Sequence, residues 1–268
     1  MKRLFFAAIA LVLGCSTYGQ EWNWQDIGRN IQSCHAQFEM FNSVQSVEVL
    51  RYRASSHRTD IVNDPAQLAD SVSTLGIRHH AIGALNGSYF DVKQLTPATF
   101  VKDDGQIEGI TLETESYRTD GIVALKGRHK VIVLPCDTSQ YTSVQKKYRE
   151  ILASGPVLVS EGKPARQEWP EDSFFTGRHP RSILGTDDNG WVYFIVVDGR
   201  AGRKAAGMTI PEAVCLVQLL GLSHAINLDG GGSSTLWTDV QGVNSYPCDN
   251  RRYDHTGQRI VPNAVIVR

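Results

Sequence analysis

With 268 residues, 27 Lys and Arg against 28 Asp and Glu, and a formal net charge of −1, the chain carries no global field that would draw nucleic acid or an anionic membrane to it. Its length supports one sizeable core or two small ones, and its apolar content of 41% is that of an ordinary globular protein. Any recognition of an anion must therefore be local.

Met1-Lys2-Arg3 followed by the uncharged apolar run from Leu4 to Gly14 reads as a signal peptide, positively charged at its start and too short to span a bilayer. Thr17-Tyr18-Gly19 before Gln20 suits ordinary cleavage, giving a signal segment of residues 1–19. Val12-Leu13-Gly14-Cys15 also has the form of a bacterial lipobox, which would end the signal at residue 14 and lipidate Cys15. Export is expected either way, to the periplasm, the medium or, through that anchor, the cell surface. Cleavage after Gly19 removes Lys2 and Arg3 and takes the formal charge from −1 to −3. It leaves Cys34, Cys136, Cys215 and Cys248, whose spacing fixes no disulfide and no zinc site.

Residues 20–45 read as a polar, aromatic lead-in, and residues 46–268 as one domain. Val47 to Arg53 alternates like a strand, and Asp64-Pro65 opens a helix expected to run to Leu75, with Gly76 as its stop. His80 to Leu85 reads as a strand entering the turn Asn86-Gly87-Ser88. Ile122–Leu125 and Val131–Leu134 make a hairpin around Gly127, and Ser139 to Ala153 reads as helical until Ser154-Gly155-Pro156 breaks it. A strand follows at Val157–Val159. Ser182–Leu184 and Val192–Val197 flank the turn Asp187-Asp188-Asn189-Gly190. Thr209-Ile210-Pro211-Glu212 is a capping box opening an apolar-faced helix that Gly221 ends. Short strands at Ala225–Leu228 and Val261–Val267 complete the chain. Many strands, several helices and no regular β-α-β alternation predict an α+β single domain with a mixed β-sheet flanked by helices.

Three segments carry groups fit for chemistry. In Asn227-Leu228-Asp229-Gly230-Gly231-Gly232-Ser233-Ser234-Thr235 a strand ends in an acid, and three glycines let backbone N–H groups approach an anion. It lacks the lysine of a P-loop and the spacing of a dinucleotide fingerprint, and a plain glycine turn fits the same spacing. Arg178-His179-Pro180-Arg181 places two guanidiniums and an imidazole where they could bracket a phosphodiester, or form a solvated basic turn. Val197-Asp198-Gly199-Arg200 ends an apolar strand in an acid and a base, suited to a cleft or to a strand-end salt bridge. Glu212 serves equally as a capping glutamate. Asn86 and Ser88 could face a ligand, or sit in a turn with Tyr89 and Phe90 in the core. His79, His80 and His224 show no metal-ligand spacing and read as packed histidines.

Taken together and in this order, Asn86-Gly87-Ser88-Tyr89-Phe90, Ser154-Gly155-Pro156, Arg178-His179-Pro180-Arg181-Ser182, Val197-Asp198-Gly199-Arg200, Gly207-Met208-Thr209 and the Asn227–Thr235 segment resemble the phosphodiester glycosidase domain family. The closing stretch from Arg259 to Val267 also fits. The family pattern more often has Gly-Gly-Phe-Phe where this chain has Gly-Ser-Tyr-Phe, and residues before Ala84 give no comparable match. The resemblance implies hydrolysis of the glycosidic C–O bond of a sugar-1-phosphodiester, small or glycan-borne. It implies catalytic roles for Asp229, Asp198 and Glu212. Substrate binding would then fall to Asn86, Ser88, Arg178, His179, Arg181, Arg200, Gly230, Gly231, Gly232, Ser233, Ser234 and Thr235. No cofactor is required by this reading; the carboxylates could hold a divalent cation, but no spacing demands one. No nucleic-acid partner is expected, and a membrane only through Cys15. Two other functions fit the same residues: a metal-dependent phosphodiesterase cutting the P–O bond, and a non-catalytic carbohydrate-binding protein of the cell surface.

Overall fold

A computed structural model describes residues 21–268. The signal segment and Cys15 lie outside the described residues. Strand makes up 41% and helix 17%, so the α+β class holds only in a coarse sense, with β-structure dominant. The mixed sheet is corrected: every named strand pair among the described residues runs antiparallel.

Three sheets enclose the principal core. The largest has eight strands, in the order Gln25–Gly28, Ile31–Met40, Ser43–Arg53, Trp191–Val197, Arg181–Thr186, His224–Asn227, Val157–Ser160 and Lys163–Pro164. A second has five, ordered Lys130–Pro135, Gly121–Lys126, Glu150–Ser154, Val101–Asp103 and Gln106–Gly109. A third also has five, ordered Gly242–Val243, Leu236–Thr238, Gly83–Asn86, Asn263–Val267 and Thr59–Asn63.

The period-two alternation of strand side chains explains how one core serves all three. Leu50, Tyr52, Leu184, Phe194 and Ile226 of the large sheet meet Val123 and Leu152 of the second and Leu85 and Val265 of the third. The neighbours on the same strands face outward: Val47, Val49, Ile183, Ile195 and Ala225 pack under the helix Ile210–Leu219 through Ala213, Val214 and Val217. Ala84, Ala264 and Ile266 turn from the third sheet toward Val72 and Leu75 of the helix Val72–Arg78. Central strands buried on both faces read as near-continuous apolar runs, as Trp191–Val197 does.

Several elements depart from the sequence expectation. Residues 31–40 are no loose lead-in, since they pair along their whole length with Ser43–Arg53. The helix expected from Pro65 is instead a single 3-10 turn, Ala66–Leu68, and the true helix starts later, where Ser71 accepts a bond from the Thr74 N–H. The helix expected over Ser139–Ala153 stops at Lys147 and gives way to the strand Glu150–Ser154, paired with Gly121–Lys126. Strand pairing has overridden a weak helical pattern there. The Thr209 capping box forms as read, with reciprocal bonds to Glu212.

Candidate active site

One end of the eight-stranded sheet gathers the site. Arg181 opens its strand opposite Val197, the last residue of its neighbour, and the strand His224–Asn227 leaves the sheet on the other side. Beyond Asn227 the chain stays zippered to the first residues of that strand: the Leu228 N–H donates to the Ser182 carbonyl at 2.8 Å, and Gly231 N–H to the Pro180 carbonyl at 2.9 Å. The Asp229 N–H reaches the Gly87 carbonyl at 3.1 Å, which ties the third sheet to the same point.

Asn86 fixes this junction. Its side-chain amide donates to the Asp229 carbonyl at 2.6 Å, while its Oδ1 accepts from the Ser182 hydroxyl at 2.6 Å and the Thr235 N–H at 3.1 Å. The residue is buried, so these bonds hold the glycine loop in a fixed place.

The result is a cleft of about 380 Å³ into which Asp229, His179 and the guanidiniums of Arg118, Arg181, Arg200 and Arg259 converge, with Tyr89, Tyr117 and Phe174 as aromatic wall. Arg181 is only 1% exposed. Its Nε donates to the Met208 carbonyl at 2.8 Å and its Nη2 to the Phe174 and Gly177 carbonyls at 2.7 and 3.0 Å. Burial, with the repulsion of Arg200 and Arg118, lowers its pKa to about 10, so it stays cationic at neutral pH. Among the described residues no carboxylate lies within ion-pair distance of Arg181 or Arg200. Arg118 is paired with Glu115 and lies 4.0 Å over the Tyr89 ring. Arg259 is held by Asp249 at 2.6 and 3.0 Å.

Asp229 is half-buried, and burial pushes its pKa up to about 6 despite the Ser233 hydroxyl and the nearby Arg118 and Arg259 charges. His179 is shifted the other way, its pKa lowered by burial and by the charges of Arg181 and Arg200. Glycine is required at two points of the loop. Gly231 has φ +64°, and a Cβ there would stand 3.1 Å from Arg200 Nη2; a Cβ on Gly230 would stand 2.7 Å from the Pro180 carbonyl oxygen. Bare backbone lets the loop lie against both.

The family model for phosphodiester glycosidases matches residues 79–268. The chain belongs to that family. Its fold is similar to the catalytic domain of zebrafish N-acetylglucosamine-1-phosphodiester alpha-N-acetylglucosaminidase, auto-inhibited there by its pro-peptide. The TM-score is 0.71 at 14% identity, covering 91% of this chain and 85% of that one. A hypothetical protein from Synechocystis is similar at TM-score 0.63 and 15% identity, covering 89% of this chain and 62% of that one. In sequence, 102 residues are 31% identical to the SPbeta prophage-derived uncharacterized protein YomE of Bacillus subtilis (strain 168), a match spanning 38% of this chain and 16% of that protein's length.

The segments shared with this phosphodiester glycosidase family divide on inspection into those that line the cleft and those that build it. Arg181, His179, Arg200, Asp229 and the three glycines line it. Asp198 does not: its carboxylate turns to the other side of the strand, accepting from the Ser46 hydroxyl at 2.7 Å and the Tyr246 N–H at 2.8 Å. Burial pushes its pKa up to about 7, against those two bonds and with the charge of Glu48 adding to the rise. Glu212 is occupied by the Thr209 cap and by Arg178, whose Nε lies 3.1 Å from both carboxylate oxygens and whose Nη2 lies 2.6 Å from Oε1. Arg178 also donates to the Phe41 carbonyl at 2.6 Å and does not line the cleft. Asn86 and Ser88 are buried, Ser88 against Asn263 with its N–H 2.8 Å from Oδ1. Of the three hydroxyls, Ser233 lies beside Asp229 and Arg259. Those of Ser234 and Thr235 are buried without a hydrogen-bond partner.

Sequence reasoning passed over Arg118, Tyr117 and Phe174, which stand in stretches with no glycine turn or strand end to flag them. Arg259 lay in the closing family segment without a role. Among the described residues no group of three or more His, Cys, Asp or Glu is placed to hold a metal ion, and no disulfide joins Cys34, Cys136, Cys215 or Cys248.

Proposed function

We propose that this phosphodiester glycosidase hydrolyses the glycosidic C–O bond of a sugar-1-phosphodiester and releases free sugar and a phosphomonoester. The observation that carries this reading is the meeting of one available carboxylate, Asp229, with two guanidiniums, Arg181 and Arg200, that have no carboxylate partner among the described residues. The other acid at the cleft, Asp172, is engaged as a helix cap, its Oδ1 accepting from the Phe174 N–H at 2.7 Å.

A departing phosphomonoester needs its negative charge stabilised more than it needs a proton, which suits a site rich in guanidiniums. Asp229, ionised above pH about 6, takes a proton from water as the water oxygen bonds to the anomeric carbon. The bridging oxygen leaves with the bonding electron pair and stays on the phosphate, where Arg181, Arg200 and the Gly232 backbone N–H meet the growing charge, the Gly230 and Gly231 N–H groups being bonded to Asp229 and to the Pro180 carbonyl. Arg118 and Arg259, tied to acids of their own, fix the rim.

Hydrolysis of sugar-1-phosphodiesters in heavy-oxygen water tests the bond cut: the label is expected in the sugar, whereas label in the phosphate would show P–O cleavage. The reaction proceeds without a resident cation, so full activity is expected after exhaustive chelation. Export, read from residues 1–19, is tested by finding the processed chain outside the cytoplasm.

A further inference from the structure

At the end of the eight-stranded sheet opposite the cleft lies a groove of about 680 Å³, between the turn of the hairpin Gly121–Lys126/Lys130–Pro135 and the turn at residues 187–190. The strand Arg181–Thr186 joins the two regions: Arg181 lines the cleft and Thr186 the groove, about 17 Å apart along five residue steps. Arg53, Lys126, Arg128 and Lys130 line the groove with His129, against a single acid, Asp187. Among the described residues none of the four cations has a carboxylate within ion-pair distance. Asp187 is spent on its own turn, accepting from the N–H groups of Asn189 and Trp191 at 2.9 and 2.8 Å. In a chain of net charge −1, four unpaired cations around one concavity form a local anion trap.

We propose that this groove binds a polyanionic chain of phosphodiester-linked units, a distal stretch of the polymer whose terminal sugar enters the cleft. The choice of linkage rests on the reaction proposed above; the binding itself rests on the groove's charges. A bilayer surface fits less well, because none of the exposed large apolar side chains stands at the groove to insert between lipids. A nucleic acid fits less well because Trp191, the aromatic residue of the groove, is occupied by Arg51 and Arg53, whose guanidinium carbons lie 4.6 and 4.4 Å from its ring centre, rather than free for base stacking.

Calorimetric titration of the protein with poly(glycerol phosphate) tests the proposal, comparing it with the triple variant Lys126→Ala, Arg128→Ala, Lys130→Ala. All three side chains are exposed and without ion pairs, so the melting temperature should hold. Binding is expected to weaken roughly 100-fold and to fall steeply with added salt. Equal affinity of the variant overturns the proposal. So does tighter binding to phosphatidylglycerol vesicles, or to a single-stranded DNA of equal charge, than to the polymer. Hydrolysis of a small sugar-1-phosphodiester by the same variant reports on the cleft alone. Groove binding that persists in a protein inactive on every such substrate would reject the reaction and keep the groove.

Discussion

The side-chain amide of Asn86 donates to the main-chain carbonyl of Asp229 at 2.6 Å, so the acid of the cleft is held in place by a residue from another sheet. Asn86 completes the junction with two acceptor bonds, to Ser182 and Thr235. Asn86→Ala would leave the Asp229 carbonyl and the Thr235 N–H buried without partners, at about 2–4 kcal/mol. Thermal denaturation should show that loss, together with a fall in kcat. Asn86→Asp should do no better, since an ionised carboxylate cannot donate to Asp229.

Asp229→Asn removes the proposed base and should lower kcat by about 10²-fold or more without unfolding the protein. With the native pKa near 6, kcat/KM of the native protein should climb with pH through that value and then level. A flat profile from pH 4 to 8, or an active Asn variant, would remove Asp229 from the mechanism.

Asp198 should behave differently. Its bonds are structural, and Asn can keep an acceptor toward Tyr246, so Asp198→Asn is expected to retain activity within about tenfold, while Asp198→Ala leaves buried groups unpaired and destabilises. The sign of the pH effect follows from burial. The folded pKa near 7 stands above an unfolded value of about 3.9, so the unfolded chain binds fewer protons in that window and stability falls as pH rises through it. Asp198→Asn should flatten that decline in melts run between pH 4 and 7.

Arg200→Ala tests charge stabilisation with little cost to the fold, because the side chain has no ion pair and only a long 3.9 Å contact from Nη1 to Cys248 Sγ. A loss of about 10² in kcat/KM is expected at an unchanged melting temperature. Arg181→Ala should lose activity and stability together, since three carbonyls each lose a donor, only that of Met208 keeping another, the His179 N–H at 3.2 Å.

Gly231→Ala forces a left-handed backbone on a residue with a side chain and presses its Cβ toward Arg200. A cost of about 1–2 kcal/mol is expected, with kcat/KM reduced in the manner of Arg200→Ala. Gly162→Ala serves as control: its φ is +72° but a Cβ there meets open space, and it lines neither the cleft nor the groove, so stability should drop with no change in catalysis per folded molecule.

The sequence by itself determined what depends on neighbours along the chain. The Thr209 cap, the turn at 187–190, the strand Trp191–Val197 and the glycine loop after Asp229 each rest on local spacing, and the ordered set of short motifs identified the family. It also placed an acid and arginines at strand ends. Only tertiary structure decided which faced one another. Strand alternation alone would put Asp198 and Arg200 on one face; because the strand ends at Val197 and Arg200 takes a φ of +60°, Asp198 meets Ser46 and Tyr246 while Arg200, two residues on, enters the cleft. Glu212 and Arg178 consume each other's charge across 34 residues of chain. Arg118 reaches the site by stacking over Tyr89, a contact between separate chain segments that no local pattern encodes. A side chain's chemistry is written in its own position, but its partners are set by packing among distant segments, and the partners decide whether a charge is available to a substrate.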